Sequence, residues 1–326
     1  MRLPVYLAET SIAVVGKGEE IGCFRRETRR IGDPSCYFMP GIYFILFELV
    51  VYLQLGLCLH HAWKQGPANL FRLVAGILFG VTLELATIRQ LDAYEYGQFL
   101  IMVLDVPLCI GVAWSCILYS VMEFSDASSL SYWTRPILDG LLALNIDLAL
   151  DAIAIRLGFW DWGRGLDFQY FGVPYPNFWA WFWVVSFFSF GYRLFARRTD
   201  WTKTWLAPFS ALIIGLAGVL GTNALIVFIV PPPLRTPVVA ATLGLALFLI
   251  VAMRPHFHLS AVPSSAFWVP MLTHLYALFA GLISGVIFEP MFLLYVSLAM
   301  IGIALYLHRP TITTVPFHQE VKSNRG

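Results

Sequence analysis

Residues 206–230 read LAPFSALIIGLAGVLGTNALIVFIV, a run without one charged side chain and with Asn223 as its single amide. At 1.5 Å of rise per residue, about 20 such residues cross the roughly 30 Å of hydrocarbon in a bilayer. The same ruler, applied outward, finds further segments at 42–63, 70–88, 98–122, 136–157, 178–195, 237–253, 267–287 and 291–308. That makes about nine spans, or eight if two late segments pack as half-spans. The runs are continuous and do not alternate, so they read as helices and not as barrel strands. The expected fold class is an all-α, polytopic integral membrane helical bundle of about eight to nine transmembrane helices. It occupies residues 41–308, between a polar arm (1–40) that carries Arg25, Arg26, Arg29 and Arg30 and a short polar tail (309–326) expected to be disordered.

Composition agrees with the spans. Of 326 residues, 59% are hydrophobic and 13% charged, the mean hydropathy is +0.73 and the net charge is +1. A soluble domain has about 25% charged residues, and a soluble surface needs them. A soluble enzyme, a disordered chain and a nucleic-acid binder are therefore set aside, the last also for want of a basic footprint. Five cysteines without a CxxC pair make no disulfide framework. The N-terminus lacks the layout of a cleavable signal peptide. Loops after odd-numbered spans hold Lys64, Arg135, Arg193, Arg197, Arg198, Lys203 and Arg254, against Arg89, Arg164 and Arg235 on the other side. The positive-inside rule puts the first group in the cytoplasm, yet the arginine-rich arm would then lie outside, so orientation and oligomeric state stay open.

Ionisable side chains inside spans are costly, and each is a functional candidate until a structural role is shown. Glu84 falls near the end of the second segment, Asp105 a few residues into the third, and Asp147 and Asp151 in the later half of the fourth. Successive spans run in opposite directions, so Glu84, Asp105 and Asp151 come out roughly 6–10 Å below one membrane face, with Asp147 about one turn deeper. Asp147 and Asp151 stand at i and i+4 and share a helix face. Without an adjacent base, either one of them holds a proton or a cation sits between them. The same face carries Asp92, Tyr94, Tyr96, the loop Gly158-Phe-Trp160-Asp-Trp162, Tyr170 and Asn177. Interfacial anchoring also accounts for tryptophans and tyrosines at a membrane boundary.

Other polar residues carry plainer readings. Asp161 and Asp167 are expected to be loop charges, Asp139 to lie in the opposite headgroup zone near Arg135, and Glu48 to pair with a neighbouring helix. His274 and Asn223 suit interhelical hydrogen bonds as well as a site. Gly215, Gly218 and Gly221 permit close helix packing. His60-His61 and His256-x-His258 offer too few partners for a metal site, and no metal is expected.

The run Asn145-Ile-Asp147-Leu-Ala-Leu-Asp151, then Gly158-Phe-Trp-Asp-Trp162, Tyr170-Phe-Gly-Val-Pro174, Asn177-Phe and Trp181, resembles the CruF-like carotenoid biosynthesis membrane proteins. Glu84, Tyr94-Glu-Tyr96, Val106-Pro-Leu108, Trp114 and Tyr119 fit the same family in the same order. Two departures border this stretch: 86–93 reads ATIRQLDA, without the family's Gly and Pro, and Ala152 stands where proline commonly follows the aspartate.

The resemblance implies a hydratase without cofactor that adds water across the terminal 1,2 double bond of an acyclic carotenoid end group. Its partners would be a hydrophobic polyene or isoprenoid substrate and the lipid bilayer, expected to be a bacterial inner (plasma) membrane. Protonating a trisubstituted alkene needs a strong acid that still holds its proton at neutral pH, a role that suits Asp147 and Asp151. Aromatic faces stabilise the resulting cation, with Tyr94, Tyr96, Trp160 and Trp162 as candidates. Tyr170, Asn177 and Trp181 complete the expected substrate-binding set, and Glu84 or Asp105 would orient the water. Three rivals stand beside this reading. A UbiA-like, Mg-dependent prenyltransferase would use Asn145-x-Asp147-x-x-x-Asp151 as a partial Asp-rich motif, although no matching second motif follows. A membrane isoprenoid cyclase would capture the same cation with an alkene. A non-catalytic carotenoid- or lipid-binding membrane protein would leave the pigment unchanged.

Overall fold

The computed structural model describes residues 41–91, 94–258 and 262–313. The arginines of the arm, Asp92 and the end of the tail lie outside the described residues. Among those described, nine α-helices follow one another: α1 (Ile42–Gln65), α2 (Pro67–Leu91), α3 (Leu108–Asp126), α4 (Arg135–Arg156), α5 (Tyr175–Arg193), α6 (Ala207–Ala224), α7 (Pro232–Met253), α8 (Ser264–Ser284) and α9 (Phe292–Thr313). Six helical stretches are long and apolar enough to cross a membrane, with α6 extended at both ends by π-helical turns, Thr202–Leu206 and Leu225–Ile229. The protein is an all-α polytopic membrane bundle.

Burial sorts the helices by their neighbours. Most of α3 is buried, whereas α6 and α7 are highly apolar and bury few of their residues. Outer helices must be greasy because lipid surrounds them, and inner ones can hold polar groups because protein surrounds them. Accordingly α4, which packs on α3, α5, α7, α8 and α9, buries Asp139, Asp147 and Asp151. Small residues set the closest approaches. A Cβ on Gly218 would lie 2.3 Å from the Phe187 ring and one on Gly215 2.7 Å from the Phe79 ring, while Gly221 faces open space and packs against nothing.

The third apolar segment begins later than its hydropathy indicates. Residues 98–107 are not helix; they include an antiparallel hairpin of β2 (Met102–Val103) and β3 (Val106–Pro107), with Leu104 left-handed between them. Pro107 is the reason, since proline restrains the residue before it to extended backbone and serves as the boundary from which α3 starts. Asp105 therefore lies in the hairpin turn, exposed, and its carboxylate accepts two bonds from the exposed Arg89 guanidinium at 3.0 and 3.2 Å. It is not an intramembrane acid.

A second pairing joins distant loops. β1 (Glu95–Tyr96) runs antiparallel to β4 (Trp160–Asp161), with Tyr96 opposite Trp160. Gly97 continues the contact through its N–H to the Phe159 carbonyl, and a Cβ there would lie 2.5 Å from the Gly158 carbonyl, which only glycine allows. Glu48 serves this same region: it is fully buried and accepts from the Leu100 backbone N–H and the Tyr52 hydroxyl. Its partners are a loop and its own helix, not a neighbouring helix.

Asp139 also differs from the sequence reading. It is fully buried and accepts from Ser189 and, at 3.2 Å, from Arg193, both on α5. Arg193 also bonds Asp126, which in turn takes Arg135 at 2.9 Å. Beside them Arg72 pairs with Glu123 and lies over the Tyr119 ring at 4.2 Å. An acid and an arginine meet at each of these contacts.

Candidate functional site

The opposite end of the same helices gathers three buried carboxylates, one from α2 and two from α4. α2 supplies Glu84, 5% exposed. Its Oε1 accepts the indole N–H of Trp114 at 2.7 Å, from α3, and its Oε2 accepts the hydroxyls of Tyr96, at 2.8 Å, and of Tyr94. The two tyrosines come from the β1 loop, which the β1–β4 pairing holds over the bundle. Burial, and then the Glu84 carboxylate, push both phenols well above their ordinary value near 10, so they remain hydrogen-bond donors at neutral pH.

α4 supplies Asp147 and Asp151. Asn177, in the first turn of α5, donates to Asp151 Oδ2 at 2.7 Å and lies 3.4 Å from both Asp147 oxygens. The second Asp151 oxygen, Oδ1, is buried without a hydrogen-bonding partner among the described residues. No lysine or arginine among the described residues forms an ion pair with Glu84, Asp147 or Asp151. Three carboxylates are thus solvated by phenol, indole and amide groups, all neutral.

These groups border a cavity of about 580 Å³. Its lining runs from the exposed Arg164, Gln169 and Pro232 to the buried Val51, Gln54, Val219 and Thr273. Aromatic rings wall the part between: Tyr94 meets Trp162 at 4.6 Å between centroids, Tyr96 meets Trp160 at 6.1 Å, and Trp114 meets Trp181 at 4.4 Å.

Of the residues singled out in the sequence, Glu84, Asp151, Tyr94, Tyr96, Trp160, Trp162, Asn177 and Trp181 line this cavity. Asp147 stands behind Asp151, fully buried and not on the wall. Tyr170 is also off the wall; its hydroxyl donates to the Leu148 carbonyl at 2.9 Å and its ring packs on Phe178. Asp105, on its hairpin, does not line the cavity and pairs with Arg89 instead. Asp161 and Asp167 are exposed loop charges. Asn145 faces away, bonding His274 at 2.9 Å and Met300, so the Asn-Asp-Asp look-alike of a diphosphate motif does not converge. Among the described residues, no group of three or more His, Cys, Asp or Glu side chains is arranged to hold a metal ion.

Trp114 was not among the site candidates, although its place gives a signal. A tryptophan inside a span, away from the interface, must find an acceptor for its N–H, and Glu84 is that acceptor. From the later helices the cavity also takes in Asn223, Arg235, Thr236 and Thr273.

The family model described as "Carotenoid biosynthesis protein" matches residues 41–251. That range contains α1 to α6 and most of α7, and with them every carboxylate of the cluster. No curated protein and no solved structure matches the chain.

Proposed function

The chain belongs to the carotenoid biosynthesis protein family, and from that premise we propose that it is a membrane-embedded hydratase that adds water across the terminal 1,2 double bond of an acyclic carotenoid or related isoprenoid. The observation that carries the reading is the cluster of three buried carboxylates matched only by neutral donors, on an aromatic-walled cavity inside lipid.

In the proposed reaction the carboxylic acid of Asp151 transfers its proton to C2 of the alkene, whose π electrons form the new C–H bond. A tertiary cation is left at C1. Asp151 suits this role because it is on the cavity wall and one of its oxygens takes no bond from the described residues. Asp147, one turn away on the same helix face, lies near the same Asn177 amide and completes the acid pair. Glu84, fixed in place by Tyr94, Tyr96 and Trp114, faces the cation together with the aromatic rings, each ring worth about 0.5–2 kcal/mol. Water then attacks C1 and returns one proton to the Asp151 carboxylate, so the sum is alkene plus water to tertiary alcohol. Asn177 orients the acid pair. The polyene comes from the bilayer of a bacterial plasma membrane and the water from the headgroup side.

Pigments from a carotenoid-producing host, with and without the chain, test the reading by mass spectrometry. Hydration adds one water to the pigment, cyclisation adds nothing, and simple binding leaves the pigment unchanged. The alcohol is expected with wild type, is expected to be absent with Asp151→Asn, and is expected to form in the presence of a chelator. Wild-type turnover by Asp151→Asn would sink the assignment.

A further inference from the structure

Hydration has a second substrate, and the carboxylate cluster by itself does not say what holds it. Water in a cavity of this kind needs two to four polar partners to stay in place. Most of the buried amides near the cavity are already committed. The Asn177 NH₂ serves Asp151 and Asp147, and Asn145 serves His274 and Met300. The Gln54 NH₂ donates to the Val269 carbonyl at 3.1 Å and to Thr273 Oγ1 at 2.8 Å. Gln54 also lies about 18 Å along α1 from its first residue, well below the carboxylates.

Asn223 differs on each count. Val219, Asn223, Ile226 and Val227 follow the i, i+4, i+7, i+8 spacing of one helix face, and all four line the cavity. Leu225 and Phe228, on the other face, are exposed. The Asn223 side chain, half-buried on the cavity wall, makes no hydrogen bond to any described residue, which leaves its amide free for a ligand in the cavity. It sits about 9 Å below Ile229, close to the level of Asp151, about 8 Å below Arg156, and of Glu84, about 10 Å below Leu91. The π turn Leu225–Ile229 begins two residues later, and wide turns of this kind recur where a helix presents a functional group. That turn is tied in place: Arg235 donates to the Val227 carbonyl at 2.6 Å and to the Val230 carbonyl at 3.3 Å.

We propose that Asn223 is the positioning residue for the nucleophilic water, an inference that rests on the hydration reading above. Its amide oxygen accepts one water O–H and its NH₂ contributes a second contact, which leaves an oxygen lone pair free to attack C1. The C–O bond forms from that lone pair, and the released proton returns to the Asp151 carboxylate. Asn223 itself neither gains nor loses a proton.

Capture of the cation is the step that Asn223 serves, and protonation precedes it. Substituting Asn223 should therefore uncouple the two. The full chain, reconstituted in liposomes loaded with an acyclic carotene, is incubated in D₂O as wild type, Asn223→Leu and Asn223→Ser. In the leucine variant alcohol formation is expected to fall about 10- to 100-fold, the loss of one hydrogen-bonding partner of the water. Deuterium should still enter the recovered alkene, because the cation that finds no water loses a proton and returns to alkene. Serine, which keeps a donor and an acceptor, should restore part of the alcohol. Wild-type helical circular dichroism of each variant in the liposomes shows that it is folded. Wild-type alcohol yield from Asn223→Leu overturns the inference and leaves the hydratase reading standing. Loss of alcohol and deuterium together in the variants also overturns it, since Asn223 would then act before capture. If wild type itself yields neither alcohol nor deuterated alkene, the hydratase reading falls and the inference with it.

Discussion

The two ends of the α4–α5 pair bury the same kind of residue and treat it in opposite ways. At one end Asp139 faces Arg193, Asp126 faces Arg193 and Arg135, and Glu123 on α3 faces Arg72. At the other end Asp147 and Asp151 face Asn177, and Glu84 faces two phenols and an indole. An acid paired with an arginine is neutralised and can serve packing alone. An acid surrounded by neutral donors keeps its proton or its charge available for chemistry. The cavity opens only onto the second kind of end, which suits that division of labour.

The comparison is broken or sharpened by substitution at each end. The largest effect is expected at Asp151: Asp151→Asn should lower alcohol formation by roughly 10²–10⁴-fold, measured by pigment mass spectrometry, while insertion and thermal stability stay near wild type. Arg193→Met should do the reverse. It leaves Asp139 buried and unpaired, at a cost of about 3–5 kcal/mol, read as a lower unfolding temperature in detergent. Asp139→Asn in the same chain should recover much of that loss. If the single change were harmless, the arginine end would not be the structural one.

A smaller effect is expected from Tyr94→Phe or Tyr96→Phe. Each removes one donor from the Glu84 carboxylate and should slow turnover by about 10-fold or somewhat more, by the strength of hydrogen bonds to charged groups. The sign of the pH dependence follows from the same contacts. Burial and Glu84 disfavour the phenolates, so the hydroxyls stay protonated past their ordinary value near 10. Turnover should show no tyrosine-dependent fall up to about pH 10; a limb that disappears in the phenylalanine variants would contradict this. The smallest effect belongs to Asp105→Asn. Its ion pair with Arg89 is exposed, so stability should change by less than about 1 kcal/mol and turnover by less than a factor of two.

How much of this was legible beforehand depends on the range of each interaction. Asp147 and Asp151 on one helix face, and Glu84 at a similar depth, follow from rise per residue and alternating direction alone. Asp105 did not follow, because hydropathy sums over a window and does not register that Pro107 starts the helix afresh. Asp139 came out at the expected end, near Arg135, but its partner Arg193 did not follow, because it lies 54 positions away, across α4 and α5. Tyr170 shares the motif-bearing loop, yet its hydroxyl is spent on the Leu148 carbonyl. Asn223 stayed undecided between helix packing and site, and only the rotation of α6 turns it to the cavity.

Composition determined by itself that the chain lives in lipid, since 13% charged residues cannot cover a soluble surface. The length of the apolar runs indicated eight to nine helices, because the bilayer fixes the length of a span. Tertiary structure decided which of the intramembrane acids are neutralised and which are left reactive. That choice rests on helix rotation and on a two-residue strand pairing between distant loops, β1 with β4, and neither is written in local sequence. Charge placement along the chain is a local property, whereas charge compensation is a property of neighbours in space.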